Sequence, residues 1–565
     1  MTYFSPSFSN SDFRLVAFTV NCNCNSLLPV LCRACLSDSC ASHRSGFQSY
    51  PNICRKPDSG NILQIKEYCY ATLQRYLESV VPMILDKSVL ENVLMHEGIS
   101  MAAYRSRAGR ACADALLMHE NNARPFLILT GSGNNGRIGL RIAAELKRAG
   151  RTVQVLPVEG KAPQLLQPLE HSDIVSSVNL DSECVLVDAV KGADEDCTLT
   201  AAEKTLFQKI NDADATVYSI EINSGADADS DHIEPEAIHS DVTFAISGYR
   251  LTHCFGKDHP VFKHVELCAP LTALTSIQSP YPQMNEDLFF HNFPRKTPVS
   301  WKGSHGKILF INGCTGMAGA ACLNLIGART VGASYILDAL PESIYPIVAS
   351  RFLTPVYHPF TRETWYEVLE PLISQVRAIG FGSGAVYMEH KLEILDLLLQ
   401  NAACPVVLDG EALRMLKHNT FILRFAKAPV ILTPHIGEFE DFCGMAKNVV
   451  EDNRLAAARK FAADYHVYVV LKAPNTIAVS PCGDVYVNQS GSAALAQAGS
   501  GDVLTGILTA LLSMTSDVSL AIRMAVWLHG YLAEIGTADS VHSLQNFDIT
   551  RYPQLMDTLF AKHGY

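Results

Sequence analysis

Apolar positions along this chain fall into two alternating patterns. Short, nearly continuous apolar runs appear at Pro125–Thr130 (PFLILT), Arg151–Pro157, Cys184–Asp188 (CVLVD) and Thr216–Ile222. Their length and β-branched content predict buried strands. Between them lie stretches with apolar residues at helical spacing, such as Ile138 to Ala149. The alternation stops at 277–300, where four prolines fall and periodicity is lost, and then resumes. Strands are predicted at Lys307–Asn312, Val376–Ile379, Pro405–Leu408, Val430–Thr433 and Val467–Lys472, with a helix over Ala320–Val331. This alternation predicts two α/β domains on parallel sheets, 83–276 and 301–565, joined by a linker at 277–300.

Polar residues collect where the predicted strands end. The first strand feeds Gly131-Ser-Gly-Asn-Asn-Gly136, a helix and a second strand, so the N-terminal domain reads as Rossmann-like and three-layered. In the second domain the strands run into Gly313–Gly319, Gly380–Gly384, Asp409, Pro434-His435 and Lys472. A sheet edge that gathers such groups is the default site. Gly499-Ser500-Gly501-Asp502 then opens a helix whose Val503, Leu504, Ile507, Leu508 and Leu511 share one face. A glycine turn at a helix N-terminus aims N–H groups and the positive dipole end at one point, which suits a phosphate. Asp502 is then a carboxylate beside an anion site, able to take a proton from a hydroxyl. Taken singly, each residue has a plainer reading. Asp502 and His435 serve as helix or loop caps, Lys472 as a surface lysine with a buried stem, and Asp188, Asn134 and Asn135 as turn formers.

Composition narrows the class. With 48% hydrophobic and 18% charged residues the chain is not of the disordered type. A net charge of −12 leaves no electrostatic case for nucleic acid, and no apolar run reaches the length of a membrane span. The 17 cysteines form no regular framework, which suits reduced thiols in a cytoplasm. Residues 1–82 are atypical: Cys22, Cys24, Cys32, Cys35, Cys40 and Cys54 cluster there, and no glutamate precedes Glu67. Three readings stay open for this Cys- and Ser-rich extension. It carries a zinc site on Cys22/Cys24 and Cys32/Cys35, it is an organellar transit peptide, or it precedes a true start at Met83 or Met95.

At this point the motifs resemble a known family, the bifunctional NAD(P)H-hydrate repair enzymes, which join an epimerase domain to an ADP- or ATP-dependent dehydratase of ribokinase-like three-layer α/β fold. The C-terminal resemblance covers about 300–540 and rests on Lys302-Gly303, GCTGMAGAA, AIGFGSG (378–384), PVVLDGEAL (405–413), LTPHIGEF (432–439), LKAPNT (471–476), AQAGSGDVLTGIL (496–508) and AVWLHGY (525–531), in the family's order. The N-terminal resemblance covers about 85–265, on GSGNNG (131–136), LVDAVKG (186–192) and IEINSGADAD (220–229). There the family's turn continues Gly-Asp-Gly, whereas this chain has Arg137, Ile138 and Gly139, and Glu221 stands for an aspartate.

The resemblance implies a chemistry. The substrates are hydrated NADH and NADPH (NADHX, NADPHX), which lose water after the hydroxyl is phosphorylated by ADP or ATP with Mg²⁺. It implies Asp502 as the base and the amides of Gly499, Ser500 and Gly501 as the anion hole. Lys472, Ala473, Pro474, Asn475 and Thr476 would lie near the nucleotide, and Ala320, Gly382 and His435 near the hydrate. In the N-terminal domain it implies substrate contacts at Asn134, Asn135, Gly136, Gly192 and Glu221, and K⁺ on Asn135, Asp188 and Ser224. Arg137 and Ile138 remove an acid and an acceptor, so slow epimerisation is expected. A homo-oligomer is expected on general grounds. The alternative is a ribokinase-type kinase of a vitamin precursor with a non-catalytic nucleotide-binding N-terminal domain, since it would use the same base and turn.

Overall fold

The computed structural model describes residues 84–565 except 86, 97, 121, 123, 159–165, 178–183, 256–259, 269–278, 280 and 539–543. The cysteine pairs of the N-terminal extension lie outside the described residues. The chain divides into two compact units, one up to Asp229 with Ile233–Ser279, the other Ser230–His232 with Pro280–Tyr565.

In the first unit β1 (Phe126–Thr130), β2 (Val153–Pro157), β3 (Val185–Ala189), β4 (Thr216–Ile220), β5 (Val242–Ile246) and β6 (Val265–Cys268) form one sheet in the order β2-β1-β3-β4-β5-β6. Every pairing is parallel. β1 and β3 are buried along their whole length, which is why they read as unbroken apolar runs. Helices α1 (Met101–His119) and α2 (Asn134–Arg148) share a core cluster with that sheet through Tyr104, Ala108, Cys112, Ile138 and Ile142. The order reverses between β1 and β3, which opens a crevice at their C-terminal ends.

The second unit holds a nine-stranded sheet in the order β15-β14-β13-β12-β11-β10-β7-β8-β9. Its strands are β7 (Ile308–Ile311), β8 (Ile336–Pro341), β9 (Val356–Phe360), β10 (Ala378–Phe381), β11 (Val406–Leu408), β12 (Val430–Leu432), β13 (Tyr468–Leu471), β14 (Ile477–Val479) and β15 (Val485–Val487). Only the β13–β14 and β14–β15 pairings are antiparallel. Here the order reverses between β7 and β10. Over that crevice lie α3 (Ala318–Thr330) and α4 (Ser500–Met514). Their backbones meet at Gly327 and Gly506, where an added Cβ would stand 2.1 Å from Val503 O and 2.1 Å from Asn324 O respectively. Glycine is required for so close an approach. The proline-rich stretch 277–300 contains a helix, Glu286–Asn292, whose Phe289 and Phe290 are buried; Phe289 packs on Trp527 at 5.4 Å between ring centroids.

β8 carries an anomaly. Asp338 is fully buried, shares a strand face with the core residues Ile336 and Leu340, and neither carboxylate oxygen has a hydrogen-bond partner. Burial pushes it up to about 8, so it is neutral at pH 7. An acid whose folded pKa lies above its unfolded value of about 4 loses stability as pH rises between the two. Asp338→Val is therefore expected to stabilise the unit by about 2 kcal/mol, the gain growing from pH 4 to pH 8. Calorimetric melts of both chains across that range measure it.

Candidate active site

The crevice of the second unit is lined by the loops that follow its parallel strands. Asp409, one residue past β11, is 3% exposed. Its Oδ1 accepts from Lys472 Nζ at 3.0 Å and Thr433 Oγ1 at 2.8 Å, and its Oδ2 from Ser383 Oγ at 3.1 Å. Burial acts to raise Asp409, but the Lys472 ammonium and these hydrogen bonds hold it below the usual carboxylate range. Burial likewise acts to lower Lys472, and the charges of Asp409 and Glu438 hold it above the usual lysine range. Lys472 is itself placed by a backbone bond, its N–H donating to Pro434 O at 2.7 Å.

Asp502 enters the same crevice from the first turn of α4. Gly499 starts that turn at φ +92°, and a Cβ there would lie 2.4 Å from Leu323 Cδ1. Asn324 on α3 fastens the turn, its Nδ2 donating to Asp502 O at 2.7 Å and to Ser383 Oγ at 3.2 Å. From the other side comes His529 of α5 (Val518–Thr537), whose Nε2 lies 3.0 Å from Ser500 O and 3.3 Å from Ser500 Oγ. Burial lowers His529 to about 4, so its ring is neutral and Nε2–H is the donor to Ser500 O. Burial first, and the Asp409 charge second, push Asp502 up to about 7, while the Ser383 hydroxyl and Lys472 pull it down. A carboxylate poised near neutrality is suited to proton transfer at physiological pH.

The other residues singled out in the sequence divide. Ala320 lies against the loop after β10, its Cβ 2.6 Å from where one on Gly384 would stand. Gly382 O accepts from Ala385 N at 3.1 Å and Glu411 N at 3.2 Å, tying that loop to the next. His435 caps the helix Ile436–Phe442: Nδ1 accepts from Glu438 N at 3.2 Å, and Glu438 Oε2 accepts from His435 N at 3.0 Å. Its side chain is 60% exposed, so capping leaves an imidazole edge open. Ala473, Pro474, Asn475 and Thr476 form the turn between β13 and β14. There Asn475 Nδ2 donates to Asn488 O and Thr476 Oγ1 to Ala473 O, so both polar side chains tie the turn itself. Asn324, Ser383, Thr433 and His529 were not singled out by the sequence reading. No local signal marks Asn324 or His529, since their helices carry other polar residues, Arg329 and Thr330 in the first and Arg523 and Glu534 in the second.

In the first unit Asn135 is fully buried and its Nδ2 donates to Lys191 O and Ile220 O, both at 2.9 Å. Two carbonyl partners fix the amide orientation, leaving Oδ1 a buried acceptor without a partner. Asn134 instead joins Arg105 Nη1 at 2.7 Å to Asp194 Oδ2 at 2.9 Å. Asp188 accepts from Ser219 Oγ, Ser224 N, Ser224 Oγ and Val190 N. Burial raises it, against those bonds. Gly136 and Gly192 admit no side chain: a Cβ on the first would meet Gly131 O at 2.0 Å, and on the second Asn135 Cβ and Glu221 Oε2, both at 2.9 Å. Glu221 sits at φ +67° and receives Arg250 Nη2 at 2.7 Å and Ala193 N at 3.2 Å. Arg250, 2% exposed, is a charged partner the sequence reading missed.

Two family models match the chain. The one described as NAD(P)H-hydrate dehydratase covers residues 308–554, and the one described as YjeF-related protein N-terminus covers 104–251. The ADP-dependent (S)-NAD(P)H-hydrate dehydratase of Bacillus subtilis is 33% identical over 265 residues, spanning 46% of this chain and 93% of that protein. The chain belongs to the NAD(P)H-hydrate repair family. The bifunctional NAD(P)H-hydrate repair enzyme of Synechocystis is 29% identical over 466 residues, 78% of this chain and 87% of its own length. A crystal structure of the Bacillus subtilis enzyme, co-crystallised with ATP/Mg²⁺, superposes with a TM-score of 0.44 at 29% identity, covering 50% of this chain and 98% of that one.

Measured against the repair-family turn, the two N-terminal substitutions behave differently. Arg137 is exposed. Ile138 is 3% exposed and packs in the core with Tyr104, Ala108 and Cys112. The expectation that an aspartate at 138 would furnish an acceptor in the site is corrected by this placement, because the side chain turns away from the turn's backbone and into the sheet–helix core. Ile138→Asp is thus expected to cost about 2–4 kcal/mol by burying an uncompensated carboxyl. A calorimetric melt of the full chain reads this directly, and an unchanged melt would refute the placement.

Proposed function

We propose that this chain removes water from (S)-NADHX and (S)-NADPHX, regenerating NADH and NADPH at the expense of ADP or ATP. Residues 301–565 carry that reaction, and the epimerase-like residues 83–276 interconvert the R and S hydrates, slowed by the Arg137 side chain where the family's turn has glycine. The observation that carries the reading is Asp502: a carboxyl pushed up to about 7, in the first turn of a helix opened by a left-handed glycine, beside the Lys472–Asp409 pair. When bound, the nucleotide with Mg²⁺ supplies the phosphoryl group that makes the hydroxyl a leaving group. Asp502 takes the hydroxyl proton on its carboxylate oxygen. The N–H groups at the start of α4 face the developing phosphoryl charge, and Lys472 adds a fixed positive charge behind them. Asn324 and His529 hold the turn so that base and anion hole keep one geometry. His435 and Ala320 border the hydrate.

Among the described residues no group of three or more His, Cys, Asp or Glu is placed to hold a metal ion, so no side chain is assigned to Mg²⁺. For K⁺ in the N-terminal unit, Asn135 Oδ1 fits as a buried acceptor without a partner. Asp188 has its four acceptor positions already taken by protein donors, Ser224 Oγ among them. Among the described residues no helix is long and apolar enough to cross a membrane, and the cysteines are free thiols, in keeping with a cytoplasmic setting. The test is direct. Hydrated NADH given with ADP and Mg²⁺ regains absorbance at the reduced-nicotinamide band, whereas a vitamin-precursor kinase would leave it unchanged.

A further inference from the structure

At the opposite end of the second sheet, where β7 and β8 begin, lies a second cavity of about 280 Å³ lined by Lys296, Arg329, Gly332, Ala333, Ser334 and Thr354, with Ile336 at its floor. No carboxylate lines it. Lys302 and Lys307 flank the ring of Tyr335, the residue after Ser334, at 5.3 and 5.0 Å from its centroid. Among the described residues these four cations form no ion pair, and Arg329 lies over the Phe352 ring at 6.0 Å, in a chain of net charge −12. Lys296, Arg329 and Lys302 are exposed, so water and salt screen most of their mutual repulsion, and what the patch offers an anion is a locally positive field. Gly332 stands at φ +76°, the left-handed region that favours glycine, and Lys296 Nζ lies 3.7 Å from where a Cβ on it would stand. Thr354 adds a hydroxyl to the wall, and Ser334 Oγ, which donates to Gly332 O over a long 3.4 Å, can turn towards a ligand. The buried His305 nearby is held below its ordinary range by burial and by Lys296, so it stays neutral and does not add to the repulsion.

We propose that this cavity binds a small phosphate-bearing anion, at a site separate from the Asp502 crevice, with Lys296 and Arg329 as its charged ligands and Lys302 and Lys307 supplying the surrounding field. A volume of about 280 Å³ admits one or two phosphate groups. Charge-assisted bonds from two cations with two hydroxyls favour a polyoxygenated anion over chloride.

The probe is inorganic pyrophosphate, titrated calorimetrically into the full chain at low ionic strength, with inorganic phosphate and ADP as parallel arms. The chain should take up pyrophosphate at a site that the double variant Lys296→Gln/Arg329→Gln lacks or binds at least about tenfold more weakly, while ADP-supported turnover of the hydrate stays within about twofold. Tight uptake of pyrophosphate or phosphate by this site with weak uptake of ADP assigns it to the free inorganic ion; the reverse assigns it to a nucleotide's phosphates. Ser334→Glu, which sets a carboxylate in the cavity and spares the cations, should abolish the same site and guards against a variant that fails to fold. Equal pyrophosphate stoichiometry and affinity in the parent, the double variant and Ser334→Glu would overturn the proposal.

Discussion

Asp502→Asn is expected to lower the dehydration rate by about 10²–10⁴ while leaving the melting temperature unchanged or slightly raised. Asparagine keeps the size of the side chain but cannot accept the hydroxyl proton. The stability expectation follows from the sign of the shift. Asp502 is raised to about 7 in the folded chain, so ionising it there is unfavourable relative to the unfolded chain, and stability falls as pH rises from about 4 to about 7. The neutral amide is spared that loss. The parent rate should climb with pH and level off above about 7, as the carboxyl deprotonates, and this limb should vanish in the variant. Single-turnover measurements of reduced-nicotinamide absorbance across pH 5.5–8.5 test both parts. A variant within a few-fold of the parent rate would show that Asp502 is not the base.

Much of this arrangement was legible in the sequence because its signals are local. The glycine turn before Asp502 and the strand ends at Asp409, His435 and Lys472 are read from spacing, and the parallel order of the strands brings them to one edge. The connections between them were not legible. That Asn324 ties Asp502 to Ser383, and that Asp409 rather than water neutralises Lys472, depends on side chains 178, 59 and 63 residues apart. No periodicity encodes such pairs. The misreading of Ile138 has the same origin. A residue inside a glycine-rich turn reads as facing the ligand, but the helix already begins at Asn134, so position 138 lies one turn in and faces the core. Glu221 was legible as an acid near the turn. Its left-handed backbone and its buried pairing with Arg250 were not.

Asp409→Asn should act on both stability and the pH profile. Its carboxylate is 4% exposed and the Lys472 side chain 22% exposed, so the variant strands a cation in a mostly dry crevice. Removing one partner of such a pair is expected to cost about 2–4 kcal/mol, the exposed fraction of Lys472 keeping it from the upper end of the usual range. Because the folded pKa of Asp409 is depressed, the stability its charge contributes is present above an unfolded value of about 4 and is lost as pH falls through the folded value. The parent and variant melts should therefore diverge at pH 7 and converge in acid. The same substitution removes the Asp409 charge that helps to raise Asp502 and frees Lys472 to interact with it. The midpoint of the rising pH–rate limb should then move to lower pH, even as the maximal rate drops from a loosened anion site. A structural role alone predicts lower stability with an unmoved midpoint, so the pH profile of the folded fraction separates the two. An unmoved midpoint would mean that Asp409 and Asp502 are not electrostatically coupled, and that burial alone raises the base.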